Sequence, residues 1–157
     1  MVKIAQIEAG FDRWEGLLDL IRASFAYMDG VIDPPSSAHR LTIDSLAKKT
    51  VSEIGFIAWR GDQLAGCVFL AEKADRFYLG KLAIAPELQR AGIGRVLLVA
   101  AEAHAKDHGK PVIELQTRVE LTGNHAAFAR LGFQETGRTA HPGFDRSTSV
   151  TMRKVLS

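Results

Sequence analysis

The 157-residue chain holds one cysteine, Cys67, so no intrachain disulfide can form. Stability must come from a packed apolar interior, and the length is sufficient for one. Cys67 stands within Ala65-Gly66-Cys67-Val68-Phe69 and reads as an inert core residue. Long hydrophobic runs are also missing. The longest in a helical stretch covers residues 96–101, bracketed by Arg95 and Glu102. A bilayer needs about 20 such residues. The first eight residues hold no apolar block of signal-peptide length. A cytoplasmic protein without a membrane partner is therefore expected. Neither charge sign dominates: 20 Lys and Arg face 18 Asp and Glu, a net charge of +2. No basic run with interleaved aromatics is present, which sets nucleic acid aside as a partner. No two histidines share a helix face at metal-ligand spacing with a third ligand nearby, so no metal site is expected. Internal repeats and low-complexity tracts are absent.

What is present is an ordinary globular composition, 46% hydrophobic and 24% charged, that suits one domain over residues 1–157. Residues 2–8 alternate imperfectly and read as a strand. Phe11, Trp14, Leu18, Ile21 and Phe25 recur at steps of three and four, one face of a helix with Asp12 available to cap it. Asp29-Gly30 and Asp33-Pro34-Pro35-Ser36-Ser37 then break the chain. A weaker helix is expected over 38–49, then strands over 54–60 and 64–72 about a Gly61-Asp62 hairpin turn. A third strand over 77–85 stops at Pro86. A long helix follows from about Gly92 to His108, ending at Gly109 with Pro111 beyond. A strand over 112–117, a short helix over 124–131 and strands over 132–137 and 147–154 close the chain. The order β α α β β β α β α β β predicts an α/β (α+β) domain. Its sheet of about seven strands should be mixed but mostly antiparallel, with helices on both faces and one right-handed β-α-β crossover.

The informative stretch is Leu82-Ala83-Ile84-Ala85-Pro86-Glu87-Leu88-Gln89-Arg90-Ala91-Gly92-Ile93-Gly94-Arg95. A strand ends at a proline and a long helix begins amid two glycines. A helix start carries unpaired N–H groups and a positive dipole end, and glycines let an anion approach the backbone. On these grounds the turn is either a phosphate site or a plain helix start. The dinucleotide pattern G-x-G-x-x-G fails because Leu97 stands at the third glycine, and the P-loop pattern fails because no Gly-Lys-Ser/Thr follows.

Gln89-Arg90-Ala91-Gly92-Ile93-Gly94, after a strand ending in proline, resembles the coenzyme A signature of the GNAT superfamily of N-acetyltransferases. A second stretch, Asn124-His125-Ala126-Ala127-Phe128-Ala129-Arg130-Leu131-Gly132-Phe133, resembles that family's short helix ending in Leu-Gly-Phe. The order of elements agrees with the family over nearly the whole chain. The resemblance implies an acyltransferase that uses acetyl-CoA and acts on a primary amine of a small molecule or peptide. Backbone groups of Leu82, Ala83 and Ile84 would then pair with the pantetheine arm and acetyl carbonyl. Amides of Gln89, Arg90, Ala91, Gly92, Ile93, Gly94 and Arg95 would hold the pyrophosphate. Asn124 would contact the pantetheine or cap its own helix, Arg130 would reach a phosphate or solvent, and Phe128 would pack against the pantetheine arm or the core. A homodimer is common in that family.

Two positions depart from the family pattern. The short helix often carries a Tyr that protonates the leaving thiolate, and Phe128 has no proton to give. Some members carry a Glu four residues before the first acyl-contacting residue, and Tyr78 stands there. Simple alternation puts Tyr78 on the strand face of Leu82 and Ile84. The candidates for proton transfer are therefore Tyr78 and His141, the latter in the loop before the last strand, since histidine titrates near neutrality. Tyr27, Met28, Asp29 and Asp33, in the break between the first two helices, are the expected acceptor contacts. The competing reading is a domain that binds coenzyme A without turnover.

Overall fold

The computed structural model describes residues 1–157. The α-helices and strands follow the expected order: β1 (Lys3–Gln6), α1 (Trp14–Phe25), α2 (Ile43–Ser52), β2 (Ile54–Arg60), β3 (Gln63–Glu72), β4 (Phe77–Ile84), α3 (Ile93–Asp107), β5 (Val112–Arg118), α4 (Thr122–Arg130), β6 (Gln134–Thr139) and β7 (Ser149–Val155). They form one seven-stranded sheet in the order β1-β2-β3-β4-β5-β7-β6. Only β4 and β5 run parallel, joined by the α3 crossover. No helix is long and apolar enough to cross a membrane.

Helices cover both faces. On one, Phe77 of β4 meets His104 and His108 of α3 edge-on, with ring centroids 5.3 and 6.1 Å apart. Gly66 of β3 permits the close approach of α3. A Cβ there would lie 3.0 Å from the Ala83 carbonyl oxygen and 3.1 Å from Leu97 Cδ1. On the other face, Leu17 and Ile21 of α1 are fully buried, and Lys49 of α2 lies over the Phe69 ring at 5.7 Å.

Local expectations needed correction where side chains compete with the backbone. Arg13, not Asp12, precedes α1, and no side chain caps that helix. The second helix divides. Ser37–Arg40 forms a 3-10 turn with Ser36 Oγ accepting the Ala38 N–H, and α2 starts only at Ile43. Thr42 and Ser45 make a reciprocal capping box there. α4 begins at Thr122 with Leu121 at its cap position. Asn124 is therefore inside the helix, not a cap, and its N–H donates to Leu121 O at 3.0 Å.

Two irregularities shape the centre of the sheet. β4 and β5 pair only at Phe77↔Ile113 and Tyr78↔Glu114. Beyond that point β4 stays with β3 as far as Ile84↔Gly66, while β5 stays with β7 as far as Arg118↔Ser149. The parallel strands diverge and leave an open wedge. The second irregularity is a bulge in β4. The register passes from Phe69↔Gly80 to Cys67↔Ala83, so Lys81 and Leu82 together oppose Val68. Lys81 takes the left-handed conformation this needs, with φ of 50°. The extra residue resets the alternation. Tyr78 pairs with Ala71 and shares its face with Ala83, opposite Leu82 and Ile84. This overturns the same-face expectation for Tyr78, which counted the strand as regular.

Candidate functional site

β4 leads directly into the wedge and then into α3. After Ile84, the Ala85 N–H donates to Ala65 O at 2.9 Å, and Pro86–Leu88 makes a 3-10 turn. Arg90 and Gly92 follow with φ of 67° and 81°, the left-handed geometry that Gly92 accepts freely at the helix start. The amides of Arg90, Gly92, Ile93, Gly94 and Arg95 donate to no acceptor, while those of Gln89 and Ala91 make only long bonds of 3.4 Å within the turn. These free donors stand at the positive end of the α3 dipole. A Cβ on Gly92 or Gly94 would meet nothing within 4 Å, so the space before them is open. Arg90 and Arg95 are exposed, whereas the Ile93 side chain turns into the core. Gln89 bends back, its Nε2 donating to Ile84 O at 3.1 Å, and so ties the turn to the strand.

The open edge of β4 carries a second feature. The Ile84 N–H donates to the Ser24 hydroxyl of α1 at 3.1 Å, and Ser24 is buried. Strand alternation puts the backbone groups of Leu82 on this same edge, and turns those of Ala83 toward β3. Of the three expected strand contacts, Leu82 and Ile84 thus face the wedge through their backbones. Cys67, behind the bulge, is fully buried, and burial pushes its thiol up to about 12.

Three segments converge on the α1–α2 side of the wedge. Asn124 Nδ2 donates to the Tyr27 hydroxyl at 3.1 Å, joining α4 to the break after α1. Asp29 Oδ1 meets His39 Nε2 at 2.7 Å. The Asp33 N–H donates to Glu120 Oε2 at 3.2 Å, and Arg146 reaches the Asp33 carboxylate at 3.5 Å. Arg118, at the end of β5, donates to the Pro34 and Pro35 carbonyls at 2.7 and 3.2 Å. Lys81 Nζ donates to Ser37 Oγ at 2.7 Å. Met28, Asp29, Ser36 and His39 line a surface hollow of about 200 Å³. A neighbouring hollow of about 280 Å³ adds Arg22 and Phe25.

The proton-transfer candidates lie apart. Burial raises the Tyr78 pKa, and the Glu114 and Glu53 carboxylates raise it further. Tyr78 therefore holds its proton more firmly than a free tyrosine, and its basic form is scarcer near neutrality. Burial lowers the His141 pKa, Arg118 lowers it again, and Glu120 opposes them. The His141 N–H donates to Thr148 Oγ1 at 2.9 Å, and its Nδ1 touches the same hydroxyl. Nε2 is a base only when Nδ1 holds the other proton and donates it to Thr148 Oγ1. Phe128 is half-buried, packing edge-on against Phe133 at 5.7 Å, and Arg130 is exposed at the end of α4. Sequence reasoning missed Ser24, Lys81, Arg118 and Thr148. Ser24 was detectable three residues after Ile21 on the buried face of α1, and Lys81 as a lone lysine in an apolar strand.

The model of the Acetyltransferase (GNAT) family matches residues 14–133. Among solved structures, the PaiA N-acetyltransferase from Thermoplasma acidophilum, in complex with coenzyme A, superposes with a TM-score of 0.81 at 18% identity, over 98% of this chain and 99% of that one. The ribosomal-protein-S18-alanine N-acetyltransferase from Escherichia coli gives 0.76 at 19% identity, over 100% of this chain and 95% of that one. At such identities the likeness concerns the fold. The aminoglycoside N(6')-acetyltransferase type 1 of Stenotrophomonas maltophilia is 38% identical over 58 residues, 37% of this chain and 38% of that protein. The chain thus matches about two-fifths of the length of that curated relative. With the family model spanning α1 through α4 and ending at Phe133, just before β6, the chain belongs to the GNAT acetyltransferase family.

Proposed function

We propose that residues 1–157 form one N-acetyltransferase domain that moves an acetyl group from acetyl-CoA to a primary amine of a small molecule or peptide. The observation that carries this reading is the row of free amides at Arg90 and Gly92–Arg95, continuous with the open edge of β4. A pyrophosphate fits such donors at an uncrowded helix start. An extended, amide-bearing arm fits a strand edge whose partner has splayed away. Gly92, Gly94 and the neighbouring amides would hold the phosphates, with Arg90 and Arg95 adding charge, and Leu82 and Ile84 would pair with the arm. Acetyl-CoA supplies an activated acyl group as a thioester.

The chain's own residues then have defined tasks. The Leu82 N–H, on the open edge, is the donor best placed to stabilise negative charge developing on the acyl oxygen. His141, whose neutral form is favoured by burial and by Arg118, would accept the proton released by the attacking amine. Phe128 offers no proton and contributes apolar packing, so the departing thiolate takes its proton from another group or from water. Tyr27, Met28, Asp29 and Asp33 would border the acceptor, with Asp33 holding its loop to Arg146 and Glu120. The two acceptors named for relatives, an aminoglycoside and a protein alanine, are both amines.

The experiment is acetyl transfer against a panel of amines, run beside equilibrium binding of CoA. Tight binding with turnover on at least one amine supports the reading. Tight binding with no transfer to any amine favours the second one, a CoA-binding module, for which Phe128 and the raised pKa of Tyr78 speak.

A further inference from the structure

We propose that the acceptor carries an anionic group, a carboxylate or a phosphate, which Lys81, Arg118 and Arg40 recognise at the mouth of the β4–β5 wedge. This rests on the acetyltransferase reading and names the substrate class of that site.

Lys81 lies three residues beyond Tyr78, the last β4 residue paired with β5, and its left-handed backbone accompanies a side chain that reaches Ser37. Arg118 lies four residues beyond Glu114 on the opposite arm of the wedge. Both grip one short segment, Arg118 at Pro34 and Pro35 and Lys81 at Ser37. Arg40 ends the 3-10 turn that Ser37 begins. Two cations from opposite strands therefore meet at one segment where the strands part, and the exposed Arg40 stands near enough to Lys81 to lower its pKa.

None of the three closes an ion pair with a carboxylate, although Glu120 and Asp33 lie near enough to Arg118 to oppose the lowering of its pKa by burial. Most acids of this region are matched elsewhere: Glu53 to Lys49 at 2.9 Å, Asp29 to His39 at 2.7 Å, and Asp33 to Arg146 at 3.5 Å, whereas Glu120 Oε1 is buried without a hydrogen-bond partner. Glu114 takes Arg76 and Arg153 at 3.2 and 2.7 Å. Glu120 accepts from the Asp33 N–H, with Arg146 at 3.9 Å. What remains bonds to neutral groups: two carbonyls for Arg118, a hydroxyl for Lys81, and nothing for Arg40. Like charges gathered in a half-buried site repel unless an anion joins them. The Lys81 ammonium shows this, its pKa lowered by burial and then by Lys49 and Arg40, with the Glu53 carboxylate opposing them and Arg118 contributing least. An anion among these groups would relieve that strain, and a polycation would aggravate it. Guanidinium and ammonium groups suit carboxylate and phosphate alike.

The test compares matched amines with acetyl-CoA: phosphoethanolamine against ethanolamine, β-alanine against β-alaninamide, and spermidine. The acidic member of each pair should have a kcat/KM higher by roughly tenfold or more, since hydrogen bonds to charged groups are the strong ones. The pair with the larger ratio distinguishes phosphate from carboxylate. Lys81→Met and Arg40→Gln should each bring the ratio toward one through KM. The Arg40 side chain makes no hydrogen bond or ion pair within the fold, so its variant separates recognition from any loosening of segment 34–37. If no amine is turned over, phosphoethanolamine or β-alanine must still raise the melting temperature more than its neutral partner does. Equal rates and equal shifts within each pair, or a preference for spermidine, overturn the proposal. An acetyl-CoA melting shift of zero would sink the cofactor reading, whereas a normal shift without charge preference sinks only this one.

Discussion

The Ser24 hydroxyl accepts the Ile84 amide across the open edge of β4, 3.1 Å from nitrogen to oxygen and buried beneath α1. The bond satisfies an amide that lost its strand partner when β5 splayed away. It also occupies the donor that an incoming ligand carbonyl would use.

Ser24→Ala should therefore act in opposite directions on the two states. The ligand-free protein should lose about 1–2 kcal/mol, the cost of an unpaired amide in a buried place. Acetyl-CoA should restore most of that loss, because its arm supplies the missing acceptor. Melting curves with and without acetyl-CoA give both numbers. A smaller ligand-induced shift in the variant would mean that Ser24 itself contacts the ligand, contrary to this account.

Gly66→Ala tests the packing that sets α3 against the sheet. The added Cβ would press on the Ala83 carbonyl, Ile84 Cδ1 and Leu97 Cδ1 at 3.0–3.1 Å. Crowding of this kind costs about 1–3 kcal/mol. Denaturant melts should show that loss, and acetyl-CoA affinity should fall as the helix start shifts from the strand edge. Unchanged stability would show that the helix is less tightly seated than the distances indicate.

His141 makes a signed prediction in pH. Its folded pKa lies below the ordinary 6.5, so the neutral form is favoured by the fold. The stability it contributes is fully present above 6.5 and is lost as pH falls through and below that value. His141→Ala should remove this acid sensitivity from the melting profile. It should also lower kcat and flatten the acid limb of the kcat/KM profile, if the imidazole takes the amine proton. Thr148→Val, which removes the partner of Nδ1, should weaken that limb too. A rate profile identical in shape to wild type in both variants would dismiss His141 as the base.

How much of this was legible in the sequence depends on the range of the interactions. The order of elements and the turn before α3 follow from local periodicity and from Pro86, Gly92 and Gly94. The bulge does not, because it exists only in the pairing of Lys81 and Leu82 against Val68, and it moved Tyr78 to the other face. Asn124 looked like a cap because it follows a glycine, yet the helix starts at Thr122. The grip of Arg118 on Pro34 spans 84 residues and has no local signature. The turn before α3 is thus built from neighbours in the chain, while the groups around the wedge are brought together from distant positions.

The central claim is that the backbone at the start of α3 binds the pyrophosphate of acetyl-CoA. Gly92→Asp and Gly92→Asn test it as a pair. Both lose the glycine's ease at φ of 81°, and a Cβ at that place meets nothing within 4 Å, so neither should unfold the protein. Only Asp adds a negative charge beside the free amides. Acetyl-CoA affinity, measured by calorimetry, should fall by roughly tenfold or more in Gly92→Asp and clearly less in Gly92→Asn, given about 1.4 kcal/mol per decade. Wild-type affinity in Gly92→Asp would contradict the account.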